Sequence, residues 1–138
     1  MALPQSKFAR NFYRTAMERR DDAEYLFNGE RLNGAVYLAG YAVECMLKSL
    51  ILASAAPAVE ARLRLGFRGQ SGHDYESLLA RYMQQRGQPF PRLIQRAFVT
   101  VRVWSTDLRY KPGIMKREDA AAFMDAAKLL VDAIDGRL

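Results

Sequence analysis

The run Leu38–Leu52, LAGYAVECMLKSLIL, is apolar around almost its whole circumference when wound as a helix. Such a helix must be covered on most of its surface. Two charges interrupt it, Glu44 and Lys48, four residues apart with the acid N-terminal, the order that suits a same-face ion pair. Gly34, Ala35, Ala39, Gly40 and Ala42 are small, which lets a neighbouring helix approach closely. The pattern predicts a central helix that begins near Arg31 and fades in Ala53-Ser54-Ala55-Ala56 before Pro57. A membrane span is the competing reading, since Ala35 to Ala56 matches the roughly 20 residues that cross a bilayer. An acid and a base at its centre, each penalised by roughly 2.5–3.5 kcal/mol in a lone span, favour a core helix instead.

The other elements follow from that centre. Pro4 and Ser6 make a helix start, and Phe8, Phe12, Ala16, Ala23 and Phe27 then recur at helical intervals. Asn28-Gly29 is a C-terminal stop, and the short turn after it makes the first two helices antiparallel neighbours. Pro57 begins a short helix with Val59, Leu63 and Leu65 as its apolar members, broken at Gly66. Residues 68–73, RGQSGH, read as a loop. Asp74 is the N-cap of a helix bearing Tyr75, Leu78, Leu79, Tyr82 and Met83. Pro91 opens another, with Leu93, Ile94, Ala97, Phe98, Val101, Trp104 and Leu108 on one side and Arg92, Arg96 and Arg102 on the other. A last helix starts around Arg117-Glu118-Asp119, with its acids at the N-terminal end. It buries Phe123, Met124, Ala127, Leu130, Val131 and Ile134 and closes at Gly136. No alternating strand pattern of useful length and no repeat interrupts the series. The expected fold is all-α, a single domain over residues 1–138: an up-and-down bundle of four main helices plus a short extra one.

A chain of 138 residues can bury a core without metals or disulfides. Its one cysteine, Cys45, lies inside the apolar helix, where a thiol is usually packing rather than nucleophile. With no disulfide possible within the chain and no signal-peptide core at the N-terminus, a cytoplasmic protein is expected. The formal charge of +6 is unevenly placed. Residues 62–117 hold twelve lysines and arginines against Asp74, Glu76 and Asp107, while the rest of the chain is net acidic. A basic segment of this kind points to a polyanion or phosphate-bearing ligand, or else is a solvated arginine-rich surface. Arginine outnumbers lysine sixteen to five, which suits bidentate phosphate contacts. His73 is the only histidine. No His/Cys zinc constellation is therefore possible, and no glycine-rich phosphate loop precedes a helix.

Residues 39–48, AGYAVECMLK, followed by Gly72-His73-Asp74 opening a helix and by Trp104 with Leu108-Arg109-Tyr110, resemble the HEPN family of small helical proteins. Arg20-Asp21-Asp22-Ala23 before them and the alanine-rich last helix fit the same order of parts, so the resemblance spans nearly the whole chain. It implies a helical bundle, usually a homodimer, tied to nucleotide binding or to RNA cleavage. Many members work beside a minimal nucleotidyltransferase as a toxin–antitoxin pair. The RNA cleavage it implies requires no metal; no cofactor, no membrane and no motif that reads DNA sequence are expected. In the ribonuclease branch an arginine precedes a histidine with roughly four to six residues between them, placed so that two protomers line a shared cleft. The histidine serves as acid or base on the ribose 2′-hydroxyl or the leaving oxygen, and the arginine offsets phosphate charge.

Arg68 and His73, with four residues between them, have that spacing and are the candidate catalytic pair. The family's pair belongs to a late helix, whereas Arg68 is followed by Gly69 in an apparent loop. Arg109-Tyr110 lies nearer the late position, with no histidine after it. The other reading of His73 is a helix start that hydrogen-bonds backbone beside Asp74. Glu44 and Lys48 are either a surface pair of roughly 0.3–0.5 kcal/mol or face a polar cleft with Arg109 or Tyr110. With Arg102 and Lys111 these make up the candidate nucleotide- or RNA-binding set: Glu44, Lys48, Arg102, Arg109, Tyr110 and Lys111. Trp104 and Tyr110 either stack on a base or belong to the core. The third reading of the chain is an interaction module with no small ligand, its central helix building a dimer or docking a partner.

Overall fold

A computed structural model describes residues 3–85, 87–102 and 115–138. These form α1 (Lys7–Asn28), α2 (Leu32–Ala53), α3 (Pro57–Leu65), a 3-10 turn (Gln70–His73), α4 (Tyr75–Gln84), α5 (Arg92–Val101) and α6 (Arg117–Asp135). Among the described residues there is no strand, and the all-α expectation holds. Six α-helices lie among the described residues, one at each place the pattern set for a helix, so the expected count of four main helices plus a short one is approximate. The stretch of the expected fifth helix from Val103 onward, with Trp104 and Leu108, lies outside the described residues.

Helix α2 is the axle. Every residue from Ala42 to Leu52 is buried, polar Glu44, Lys48 and Ser49 included. It is long and apolar enough to cross a membrane, yet 83% of its most apolar window is buried inside the fold. The neighbours that cover it are α1, α4 and α6, with α5 packed in turn on α6.

Antiparallel packing of α1 on α2 follows from contacts at both ends. The Ser49 hydroxyl donates to the Ala9 carbonyl at 2.7 Å, and a Cβ added at Gly34 would stand 3.3 Å from Leu26. The residues of α1 that go deepest are Ala9, Ala16 and Ala23; Ala16 and Ala23 belong to the stripe that the periodicity put forward, while its Phe12 and Phe27 are only partly buried against the core. A seven-residue repeat of alanine returns to one face every two turns and lets the two backbones come close. Phe8, by contrast, is exposed and carries the Arg64 guanidinium on its face, 3.5 Å from the ring centre.

Local signals set most helix ends. Ser6 accepts from the Ala9 amide and Asp74 from the Glu76 amide, each at its helix N-terminus. The stop between α1 and α2 differs from expectation. Gly29 keeps an ordinary φ of −87°, and Glu30 takes the left-handed conformation at φ 63°. The Arg31 amide then reaches back to the Leu26 carbonyl at 2.8 Å and that of Glu30 to Phe27 at 3.1 Å, the hydrogen-bond pattern of a Schellman stop. Helix α3 buries none of its side chains fully, and Leu65 lies 60% exposed. At the far end Arg137 stacks 3.7 Å from the Phe90 ring centre and donates to the Pro89 carbonyl at 2.7 Å, tying the chain's end to the connection before α5.

Candidate active site

One turn of α2 places Lys48 above Glu44, and Nζ lies 2.8 Å from Oε2. Glu44 is 2% and Lys48 5% exposed, so this is not the surface pair that was one reading of the spacing. Two charges out of water need further partners. The ammonium finds two aromatic faces, 5.5 Å from the Phe67 ring centre and 5.8 Å from that of Phe12, with those rings edge-on to each other. Glu44 finds His73: the imidazole Nδ1 is 3.1 Å from both carboxylate oxygens.

The connection between α3 and α4 carries His73 to that position. After the cap at Gly66 the chain buries Phe67, turns through Gly69 at φ 81° and folds back on itself. At Gly72 an added Cβ would stand 1.9 Å from the Phe67 carbonyl oxygen, so only glycine lets the loop close there. The 3-10 turn ends on His73, and Asp74 immediately caps α4. The His73 side chain therefore bonds the Glu44 carboxylate and not the backbone beside Asp74, a correction of that reading. Asp74 serves its own helix.

An ionised carboxylate only accepts. Nδ1 must accordingly carry the proton it gives to Glu44, and the lone pair of the neutral ring is placed on Nε2. The side chain is 36% exposed, and the Nδ1 edge of the ring is fixed from inside. A buried acid holding the tautomer of a half-exposed histidine is the arrangement that readies an imidazole to take a proton.

Two acidic groups next to the trio are held neutral. Burial pushes the Cys45 thiol up to about 12, with Glu44 adding to the shift and Lys48 and Arg19 opposing it. Such a thiol is packing. The Tyr75 phenol is raised well above its ordinary value, first by burial and then by Glu44 and Cys45. It donates to the Gly40 carbonyl at 2.7 Å and so pins the start of α4 to α2.

The other candidates are placed as follows. Arg68 is exposed one residue after Phe67, and no described hydrogen bond or ion pair joins it to Glu44, Lys48 or His73. Arg102, just past α5, is exposed with its guanidinium 3.9 Å from Glu76 in the first turn of α4. Arg109, Tyr110 and Lys111 lie outside the described residues, and the expected cleft between Glu44 and Arg109 or Tyr110 lies there with them. The partner that sequence reasoning missed was Glu44 for His73. The signals available were a single histidine just ahead of an N-cap and a single acid inside the apolar helix. No set of three or more His, Cys, Asp or Glu side chains suited to a metal occurs among the described residues. A groove of about 450 Å³ between α1, α2 and α6, floored by Ala39 and Ala42, shares no residue with the trio.

The family model of the HEPN domain matches residues 9–137 of the chain. Neither the curated proteins nor the solved structures contain a match.

Proposed function

The chain belongs to the HEPN domain family, and from that premise we propose that it is an RNA-directed member whose His73 cleaves RNA without a metal. The observation that carries the proposal is the 3.1 Å contact of Nδ1 with both oxygens of buried Glu44 while the ring stays 36% exposed. His73 Nε2 takes the proton of a ribose 2′-hydroxyl. The 2′-oxygen then bonds to the adjacent phosphorus, and the bond to the 5′-oxygen of the next nucleotide breaks. That oxygen leaves with a proton returned from the imidazolium, giving a 2′,3′-cyclic phosphate and a 5′-hydroxyl. Glu44 steadies the imidazolium in between, and Lys48 holds Glu44 from its other side at 2.8 Å. Arg68, five positions before His73, offsets charge on the phosphate.

Binding of RNA or nucleotide phosphate through the basic segment is the broader part of the same reading. The excess of twelve basic over three acidic residues between positions 62 and 117 supports it. On this reading the protein acts in the cytoplasm, and the further roles of homodimer and of one component of a toxin–antitoxin or nucleotidyltransferase-associated pair rest on the family alone.

The test is a fluorescent oligoribonucleotide incubated with the protein in EDTA, beside its all-deoxy counterpart. The expected result is cleavage of the ribose strand only, lost in His73→Ala and lowered about a hundredfold in Arg68→Ala. Equal cleavage by wild type and His73→Ala refutes the assignment. Salt-sensitive RNA binding without cleavage leaves the binding reading and removes the catalytic one.

A further inference from the structure

Helix α3 is held more loosely than its neighbours. It is nine residues long, no side chain caps its first turn, and it alone among the described α-helices buries no side chain fully. A helix that short is marginal without packing. From Ala53 to Gly69 the only buried residue is Phe67. A cavity of about 380 Å³ lies between α3 and the ends of α2 and α4, with Val59, Arg62 and Leu63 as its α3 lining, where protein interiors are otherwise close-packed. Two contacts fasten α3 to the beginning of the chain. The Ser6 hydroxyl, which caps α1, donates to the Glu60 carboxylate. The Arg64 guanidinium lies 3.5 Å from the Phe8 ring centre, a cation–π contact.

The far end of α3 leads straight into the trio. Just past Gly66, the Phe67 ring centre lies 5.5 Å from the Lys48 ammonium. Gly72 packs so closely on the Phe67 carbonyl that no side chain fits between them, and the next residue is His73, on Glu44. Phe67 therefore cannot move out without freeing the residue beside His73. Hinges for such a movement flank the helix: exposed Ala53-Ser54 before it, and after it Gly69, at φ 81° with open space around it. We propose that α3 is a strap, latched by Ser6–Glu60 and Phe8–Arg64, whose release draws Phe67 off Lys48 and His73 off Glu44. Opening withdraws one buried side chain rather than a core, so the opened state is populated far above the unfolded one. The consequence for cleavage rests on the reading of His73 given above; the movement itself does not.

Hydrogen exchange of the full chain, read residue by residue by NMR, tests it. The helical amides of α3 exchange at least about a hundredfold faster than those of α2, at a rate that mild urea leaves unchanged, the mark of a local opening. Phe8→Ala and Glu60→Ala each speed α3 about threefold, and together about tenfold, while α4 and α6 keep their rates. Alanine at position 60 favours the helix by itself, so faster exchange there reports the lost latch. The double variant also moves the imidazole resonance of His73, the only histidine, and lowers RNA cleavage with it. The inference is overturned if α3 exchanges as slowly as α2, if the latch variants speed all helices alike, or if the His73 resonance stays in place. Exchange and resonance are read without RNA, so a protein that cleaves nothing refutes the catalytic reading and still decides this one.

Discussion

Replacing Glu44 by glutamine keeps the shape of the side chain and deletes its charge, leaving the Lys48 ammonium alone inside the protein. At 2.8 Å and an effective dielectric constant of about 20, the attraction lost is about 6 kcal/mol. Part of it is regained, because the glutamine oxygen still accepts from Lys48 and the two aromatic faces remain. Breaking a buried pair from one side generally costs about 3–5 kcal/mol, and Glu44→Gln should fall in that interval. Urea denaturation followed by circular dichroism reads the effect. With a slope of about 1–3 kcal/mol per molar urea, the midpoint drops by at least about 1 M while the slope holds. Lys48→Met alone leaves a buried carboxylate with the His73 imidazole as its remaining partner and is destabilised too. In Glu44→Gln/Lys48→Met much of the loss returns, since an apolar side chain replaces the ammonium and no unpaired charge stays behind. A Glu44→Gln protein within about 1 kcal/mol of wild type, or a double variant as unstable as the sum of the singles, refutes the view that these charges are buried and coupled.

Two further outcomes follow from the same region. Gly72→Ala forces the backbone away from the Phe67 carbonyl, which a Cβ would approach to 1.9 Å. The expected loss is about 1–3 kcal/mol of stability, with release of His73 from Glu44 seen as a shift of the imidazole resonances; an unchanged midpoint and spectrum contradict it. Cys45 gives a pH signature: its thiol keeps its proton in the fold up to about pH 12, against an ordinary value of 9.0. The unfolded chain therefore sheds that proton first as pH rises. Stability from this group is intact below pH 9 and falls by about 1.4 kcal/mol per pH unit as pH climbs toward 12. Cys45→Ala is expected to be less steep over that window in urea titrations at fixed pH, and identical slopes speak against a buried neutral thiol.

Much of the fold was legible because helix ends are local chemistry. Ser6, Pro57, Asp74, Pro91 and Gly136 act on amides and carbonyls within one turn of themselves, so their roles show in the order of residues. The apolar run around Glu44 likewise required cover on all sides, whatever supplied it. The route of the chain decided which acid meets which base. Glu44 and His73 are 29 positions apart, and they meet because Gly72 lets the α3–α4 connection close against Phe67. Nothing in the spacing of the two residues encodes that distance. The alanine face of α1 belongs to the same class: Ala9, Ala16 and Ala23 outrank the phenylalanines as contact residues because α2 approaches closely, and close approach is a property of two helices together. Sequence alone determined where the helices among the described residues lie and that the central one is buried. The tertiary packing decided which charges are shut in with each other, because a charge's partner depends on distance through space and on the water excluded between them.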